Sequence, residues 1–418
     1  MRTIESINQC CENIEQRESE VHAFVGGTLN VERIVDEAAD LLRAFPDAAE
    51  RPPLFGTLVG IKDIVDVDGY PTACGSRLPV EELTGPEAPL VTRLKQAGAI
   101  IAGKTVTAEF AHIDPGPTRN PLNLEHTPGG SSSGSAAGIA AGFFDLAIGS
   151  QTCGSTIRPA AYCGIIGFKP SFGRLEIKGF YPYSKSMDHV GLLVKDLDIL
   201  ECTMSVCTDN WRSDAVCASP SFAIPEGPYL ALASEAARQH YVELIQYLRQ
   251  YGLRIEDHEV LGDIEKQNQD LDRLTDAEAY RVHADLLERY SELYSPQMLE
   301  AMNLGREVSD TELEALQAAA KHKQEEMRHC MRDREIDFWL TPAAPDVAPY
   351  GLASTGNHHM NSIWTYTGLP VITLPSGLNH VGLPYGLQIV GQYGHDEELI
   401  ATAKSLQRML PNHEQIIE

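Results

Sequence analysis

The chain predicts an α/β fold on a mixed or parallel sheet, and three features carry that expectation. Apolar residues recur at helical spacing in several stretches, short apolar runs flanked by glycine lie between them, and the order helix then strand repeats along the chain. In VERIVDEAADLLRAF (31–45), Val31, Ile34, Ala38, Leu41, Leu42 and Phe45 form one stripe, and residues 1–50 predict helix. Leu58, Val59 and Ile61 then form a short apolar run among glycines, which predicts a buried strand. Over 88–105, Leu90, Leu94 and Ala97 mark a helix, Gly98 stops it, and AIIAG predicts the next strand. GSAAGIAAG followed by FFDLAIGS repeats that order. From about 230 to 335 the sequence becomes long, charged and helical, with little proline or glycine, and predicts a helix-rich accessory region. Residues 365–391 return to strands and turns, and 397–410 predict a closing amphipathic helix. No internal repeat interrupts this plan, so residues 1–418 are expected to form one domain with a core segment at 54–195.

The bulk numbers bound the function. With 43% hydrophobic residues in 418, a large core is accessible and disorder is excluded. The chain carries 33 basic against 59 acidic residues, a net charge of -26, which argues against a general nucleic-acid or anionic-membrane binder. The cysteines at 10, 11, 74, 153, 163, 202, 207, 217 and 330 follow no CxxC pattern and predict reduced thiols in a cytoplasmic protein. MRTIESINQCCENIEQRE has no apolar core of a signal peptide, and the apolar run at 136–148 is short and carries Asp145. The expected setting is soluble and cytoplasmic, with no membrane partner.

One stretch decides the chemistry. PGGSSSGSAAGIAAG (128–142) is dense in glycine and serine but runs straight into Ala136, Ala137, Ile139 and Ala140, unlike a flexible linker. It lacks the lysine of a nucleotide P-loop and does not fit GxGxxG. A catalytic role needs a nucleophile and a base. Downstream, IGSQTCGSTIRPAAYCG (148–164) places Ser155 after Gly154 at the end of an apolar strand, where glycine lets backbone amides turn toward an oxyanion. A serine hydroxyl is a poor nucleophile without a base. Lys62 follows the buried run TLVGI, and desolvation there would lower its pKa toward that of a useful base. Residue types alone go no further.

Five stretches resemble the amidase signature family: GIKDIVDVDGYPT (60–72), AGAIIAGKTVTAEFAH (97–112), TRNPLNLEHTPGGSSSGSAAGIAAG (118–142), GSQTCGSTIRPAAYCGIIGFKPSFGR (149–174), and TGLPVITLPSG with GLPYGLQIVG (367–391). The resemblance implies a large central mixed β-sheet flanked by helices on both faces, with the accessory helices added. It implies a catalytic triad of Lys62, Ser131 and Ser155, with the Gly130–Ser131 peptide cis. Lys62 takes a proton from Ser131, Ser131 takes one from Ser155, and Ser155 attacks the amide carbonyl. Backbone N–H groups of Thr152, Cys153, Gly154 and Ser155 form the oxyanion hole. Gly130, Ser132 and Ser133 support the loop, and one of the two serines is expected to hold Lys62 or the loop backbone.

Cys153 departs from the family, which has glycine there. Arg158 is either structural or a clamp for a substrate carboxylate, and IRPAAYCG resembles the malonamidase-like subgroup, which acts on short amides with a free carboxylate. Asn361, Trp364 and Thr365 fall where the family places substrate-pocket residues. Lys104 is expected to be scaffold, and Asp188 and His189 fold support. His358 and His359 tempt as a metal pair, but no third ligand is spaced nearby. The expectation is therefore an amidohydrolase with no cofactor and no metal, acting on a small-molecule amide such as malonamate, without nucleic acid and as a homodimer. The alternatives are the glutamine-hydrolysing component of a tRNA-dependent amidotransferase, a ureido-type hydrolase, and an inactive scaffold.

Overall fold

The computed structural model describes residues 4–410. In chain order its elements are α1 (Ile4–Val21), α2 (Val31–Ala44), β1 (Leu58–Lys62), α3 (Pro89–Gln96), β2 (Ile100–Thr105), α4 (Ser133–Ala140), β3 (Leu146–Gln151), α5 (Ile157–Tyr162), β4 (Ile166–Lys169), β5 (His189–Val194) and α6 (Leu197–Cys207). They continue with β6 (Phe222–Glu226), α7 (Glu235–Gln250), β7 (Ile255–Glu259), α8 (Ile264–Tyr290), α9 (Pro296–Arg306), α10 (Asp310–Asp333), β8 (Phe338–Pro342), α11 (His359–Tyr366), β9 (Val371–Leu378), β10 (Pro384–Gly391) and α12 (Asp396–Gln407).

All ten strands form one sheet in the order β2-β1-β3-β5-β4-β9-β10-β8-β6-β7. It is mixed. β1 runs parallel to β2 and β3, the middle strands pair antiparallel, and β6 runs parallel to β7 and β8. The period-two geometry of a strand sorts its side chains into two cores. Val59, Ile61, Ile101, Leu146 and Ile148 join the core under α3, α6 and α12, whereas Leu58, Ile100, Ala102 and Ala147 join the core under α1, α2 and α4. Helices thus cover both faces of β1–β3, which is why these strands read as continuous apolar runs.

The expected accessory region turns out to contain part of the sheet. Within 230–335, β7 pairs with β6 and forms the sheet edge, with Glu256, Asp257 and Glu259 exposed. Charged side chains suit an unpaired edge, and they hide the strand from an apolar pattern search. α11 lies just before the strands and turns expected over 365–391, in a stretch with no helix expected, because its buried residues are polar as well as apolar. Among the described residues, no helix is long and apolar enough to cross a membrane. Among the described residues, no disulfide joins any of the nine cysteines.

α4 answers what the alanines and glycines after the serines are for. A Cβ on Gly134 would lie 2.1 Å from Ala23 O and 2.5 Å from Val106 N, both backbone atoms. The helix therefore seats directly on two chain segments, which holds the serine loop against the ends of β1 and β3. Gly134→Ala is expected to lower unfolding stability by about 1–3 kcal/mol through overpacking. Urea denaturation checks this, and an unchanged midpoint would contradict so close an approach.

Candidate active site

In open α/β sheets the carboxyl ends of parallel strands collect functional groups. β1 ends at Lys62 and β3 at Gln151. Lys62 is fully buried, and its Nζ donates to Ser131 Oγ at 2.7 Å and to Ser150 Oγ at 2.8 Å. Burial pulls its pKa down from 10.5 to about 7, against the weaker opposing pull of Asp188 and Cys74. The carboxylate next in sequence does not neutralise it. Asp63 is paired instead with Lys104, Oδ1 to Nζ at 3.0 Å, with both side chains buried. Between Val59 and Gly60 the pairing to β2 skips from Ile101 to Gly103, and this bulge brings Lys104 level with Ile61. Lys104 also donates to Thr72 Oγ1 and Pro71 O, consistent with the scaffold role expected of it.

The serine loop lies between these strand ends. Its Gly130–Ser131 peptide is cis. Ser131 is fully buried, and its carbonyl accepts from Ala108 N at 3.1 Å and Ser133 N at 2.9 Å. Ser133 Oγ donates to Gly129 O, and Ser132 Oγ exchanges bonds with the Ser150 backbone, so both neighbours hold main chain. The second hydroxyl on Lys62 comes from Ser150, which sequence reasoning missed because it reads as an ordinary strand residue.

The turn after β3 is fixed by side chains at each end. Gln151 Oε1 accepts from Thr156 N and Ile157 N, both at 3.0 Å, and Thr152 Oγ1 donates to Asp188 Oδ1 at 2.6 Å. Asp188 also accepts from Tyr183 N and Ser184 N, and burial lifts its pKa to about 6. The carbonyls of Cys153, Gly154 and Ser155 accept from Thr365 Oγ1, Arg158 N and Ser132 N. Among the described residues, the backbone N–H groups of Thr152, Cys153, Gly154 and Ser155 have no protein acceptor. A Cβ on Gly154 would meet Asn361 Oδ1 at 2.7 Å, so that position is closed to side chains. Ser155 is buried, 8% exposed, and lines a cavity that opens on this turn. Among the described residues no hydrogen bond joins its hydroxyl to that of Ser131, a link of the kind that commonly tightens only with substrate seated.

A cavity of about 380 Å³ opens on this turn, lined by Thr152, Cys153, Gly154, Ser155 and Arg158 together with His112, Tyr183, Asp272, Asp276, Glu300 and His358. Arg158 is 2% exposed, and its Nη2 donates to Gly130 O at 2.7 Å and Thr355 Oγ1 at 3.2 Å. Its Nε and Nη1 have no partner, nor does any carboxylate pair with it among the described residues. Opposite in charge, Asp272 and Asp276 sit one turn apart on α8. Asp276 accepts from Tyr183 OH at 3.0 Å, and burial, reinforced by Asp272 and Glu300, lifts its pKa to about 7. Glu278 on the same helix accepts from Ser184 Oγ and Ser186 N, tying α8 to the loop that also holds Asp188.

Two expected pocket residues do not line the cavity. Asn361 is fully buried and donates to Ala343 O and Gln388 Oε1, and Trp364 is fully buried with its Nε1 on Tyr229 OH. Both occupy the core face of α11, and Asn361 meets the site only by pressing on Gly154. Thr365 holds the Cys153 carbonyl and accepts from Gln151 Nε2. His358 does reach the cavity, and the third donor missing from the sequence is supplied by the fold: Asp272 and Cys153 lie beside it.

The family model described as Amidase matches residues 5–400. The chain belongs to the amidase family. Among curated relatives, the A component of the glutamyl-tRNA(Gln) amidotransferase of Lachnoclostridium phytofermentans is 28% identical, covering 97% of this chain and 93% of that protein. Its counterpart in Prochlorococcus marinus is 30% identical over 96% of this chain and 93% of its own. A crystal structure of an amidase superposes with a TM-score of 0.88 at 27% identity, covering 97% of this chain and 96% of that one. The amidase is accordingly an amide-hydrolysing enzyme. These relatives correct one expectation. A small amide substrate without nucleic acid, in a homodimer, does not stand beside curated relatives named for a tRNA and for one component of an assembly. The net charge describes the field of one chain and does not limit what another chain of an assembly carries.

The two buried lysines separate in stability. Lys104→Met strands the buried Asp63 carboxylate and is expected to cost about 3–5 kcal/mol. Lys62→Met strands no charge and should stay within about 1 kcal/mol of the parent at pH 7. Because the folded chain binds the Lys62 proton less tightly than the unfolded one, the parent should gain stability over Lys62→Met as pH rises from about 7 toward 10.5, and show no change below that window. Urea denaturation across pH checks all three.

Proposed function

We propose that the chain is the glutamine-hydrolysing, ammonia-releasing component of a tRNA-dependent amidotransferase. The observation that carries this reading is the division of charge in the cavity. The uncommitted Nε and Nη1 of Arg158 lie three residues after Ser155, and the carboxylates of Asp272, Asp276 and Glu300 come from α8 and α9. An α-amino acid amide presents one carboxylate for the first and one ammonium for the second. The names and full-length coverage of the curated relatives support the same reading.

The chemistry of this reading is a relay from Ser155 through Ser131 to Lys62, of which the Lys62–Ser131 hydrogen bond is in place. Neutral Lys62 accepts the Ser131 proton, Ser131 accepts that of Ser155, and Ser155 Oγ attacks the side-chain amide carbon. The tetrahedral oxygen is held by backbone N–H groups of the turn 152–155, for which no protein acceptor lies among the described residues. The relay run backwards protonates the departing nitrogen, so ammonia leaves instead of an amide anion. Water, deprotonated by the same relay, then releases the acid from Ser155 and restores the enzyme. Lys62 does this near neutral pH because burial has already removed its preference for the proton.

A second reading has its own support. Arg158 stands only three residues from Ser155, a reach suited to a short amide bearing a free carboxylate, such as malonamate. Ammonia release from glutamine and malonamate, with and without candidate partner proteins and glutamylated tRNA, separates the two. Turnover of malonamate and none of glutamine, partners present, would overturn the amidotransferase reading.

Two further outcomes test the residues. Ser155→Ala should cut ammonia release by about three orders of magnitude or more without unfolding, and the parent kcat/KM should rise through pH about 7 as Lys62 deprotonates. Arg158→Ala should lose roughly 10–100-fold more on carboxylate-bearing amides than on neutral ones, measured as kcat/KM. Equal losses would mean that Arg158 acts only through Gly130 and the loop.

A further inference from the structure

We propose that the active cavity contains a binding site for one borderline divalent cation, Zn²⁺ or Co²⁺, formed by Cys153 Sγ, a carboxylate oxygen of Asp272 and the His358 imidazole. These three donor atoms all lie within 4.8 Å of one another, and among the described residues no other group of histidine, cysteine and acid shows such spacing. They come from three separate elements: the turn after β3, the middle of α8 and the residue preceding α11. Asp272 Oδ1 and His358 Nε2 are 3.1 Å apart, a separation that two ligands of one ion adopt.

Each donor is anchored from behind. The Cys153 carbonyl is held by Thr365 Oγ1, and the His358 carbonyl accepts from Asn361 N at 2.8 Å. The second Asp272 oxygen lies 3.7 Å from His359 Nε2, which orients the carboxylate. All three donors line the cavity, so an ion held by them keeps a fourth position open toward it.

The donor set selects the metal. A thiolate with an imidazole favours Zn²⁺ and Co²⁺ over Mg²⁺ and Ca²⁺, which want oxygen alone. On binding, the Cys153 thiol releases its proton to solvent and the sulfur donates a lone pair to the ion, with no change of oxidation state. Cys153 belongs to the turn carrying Ser155, and Asp272 is one of the acids facing the cavity. The ion and a substrate therefore occupy overlapping space, and the cation acts as a competitive inhibitor.

Titration of the purified full-length chain with Co²⁺ alone tests this. The expected result is one Co²⁺ per chain with thiolate-to-cobalt charge-transfer absorption in the near ultraviolet, displaced by one equivalent of Zn²⁺. Cys153→Ser and His358→Ala should each remove the absorption and weaken Zn²⁺ binding by more than about tenfold, with circular dichroism unchanged. Cys202→Ser, remote from the cavity, should leave both intact. Absence of the band, its survival in Cys153→Ser, or its loss in Cys202→Ser would each overturn the site. Zn²⁺ should raise the apparent KM for a turned-over amide and leave kcat alone. A fall in kcat at fixed KM would overturn the competitive action.

Discussion

Everything at this site depends on a lysine kept out of water without a carboxylate to match it. Lys62 and Asp63 are adjacent, and a chain that let them pair would have a permanently protonated lysine. The bulge in β2 prevents this by carrying Lys104 to Asp63. One buried pair is thereby completed, and the neighbouring cation is left with serine hydroxyls only. The shift of Lys62 toward neutrality is thus a property of the register between two strands.

The acid side of the cavity has a different origin. Asp272 and Asp276 are carried by α8, whose own sequence is strongly charged throughout, so nothing local distinguishes them from solvated residues, and Glu300 stands alone as the acid of α9. They acquire meaning from contacts made far away in sequence, through Glu278 to Ser184 and Ser186, and through Tyr183 to Asp276. The same loop holds Asp188 and so Thr152. Cavity wall and catalytic turn therefore share one support.

This difference explains what was legible. β1, β2, α3, α4 and the serine loop announce themselves by short-range pattern, and Lys62, Ser131 and Ser155 sit in local motifs whose glycines are required by close backbone approach. Ser150 and Gln151 did not stand out, because a strand residue that turns its hydroxyl or amide to a neighbouring loop leaves no periodic trace. Asn361 and Trp364 show the reverse case. Their position along the chain is right for a pocket, yet which face of α11 meets the core is decided by Tyr229, Ala343 and Gln388, all distant in sequence. β7 escaped notice because an edge strand can be almost wholly polar. Partners escaped for a further reason: net charge is a property of one chain, and an assembly divides its work among several.

Gly130 and Ser131 are gripped from two sides by two buried basic side chains, Arg158 on the carbonyl of one and Lys62 on the hydroxyl of the other. Arg158 also lines the cavity, and its Nε and Nη1 are buried without a hydrogen-bond partner among the described residues. In the proposed function, one side chain thus serves both the posture of the serine loop and the recognition of a substrate. For an evolving lineage this couples two traits that are separable in many enzymes. Preference can drift at Glu300 on the α9 wall, whereas Asp276 is tied through Tyr183 to the loop that holds Asp188 and Thr152. A change at Arg158 must be accompanied by a new partner for the Gly130 carbonyl, so innovation on that side has to arrive in pairs.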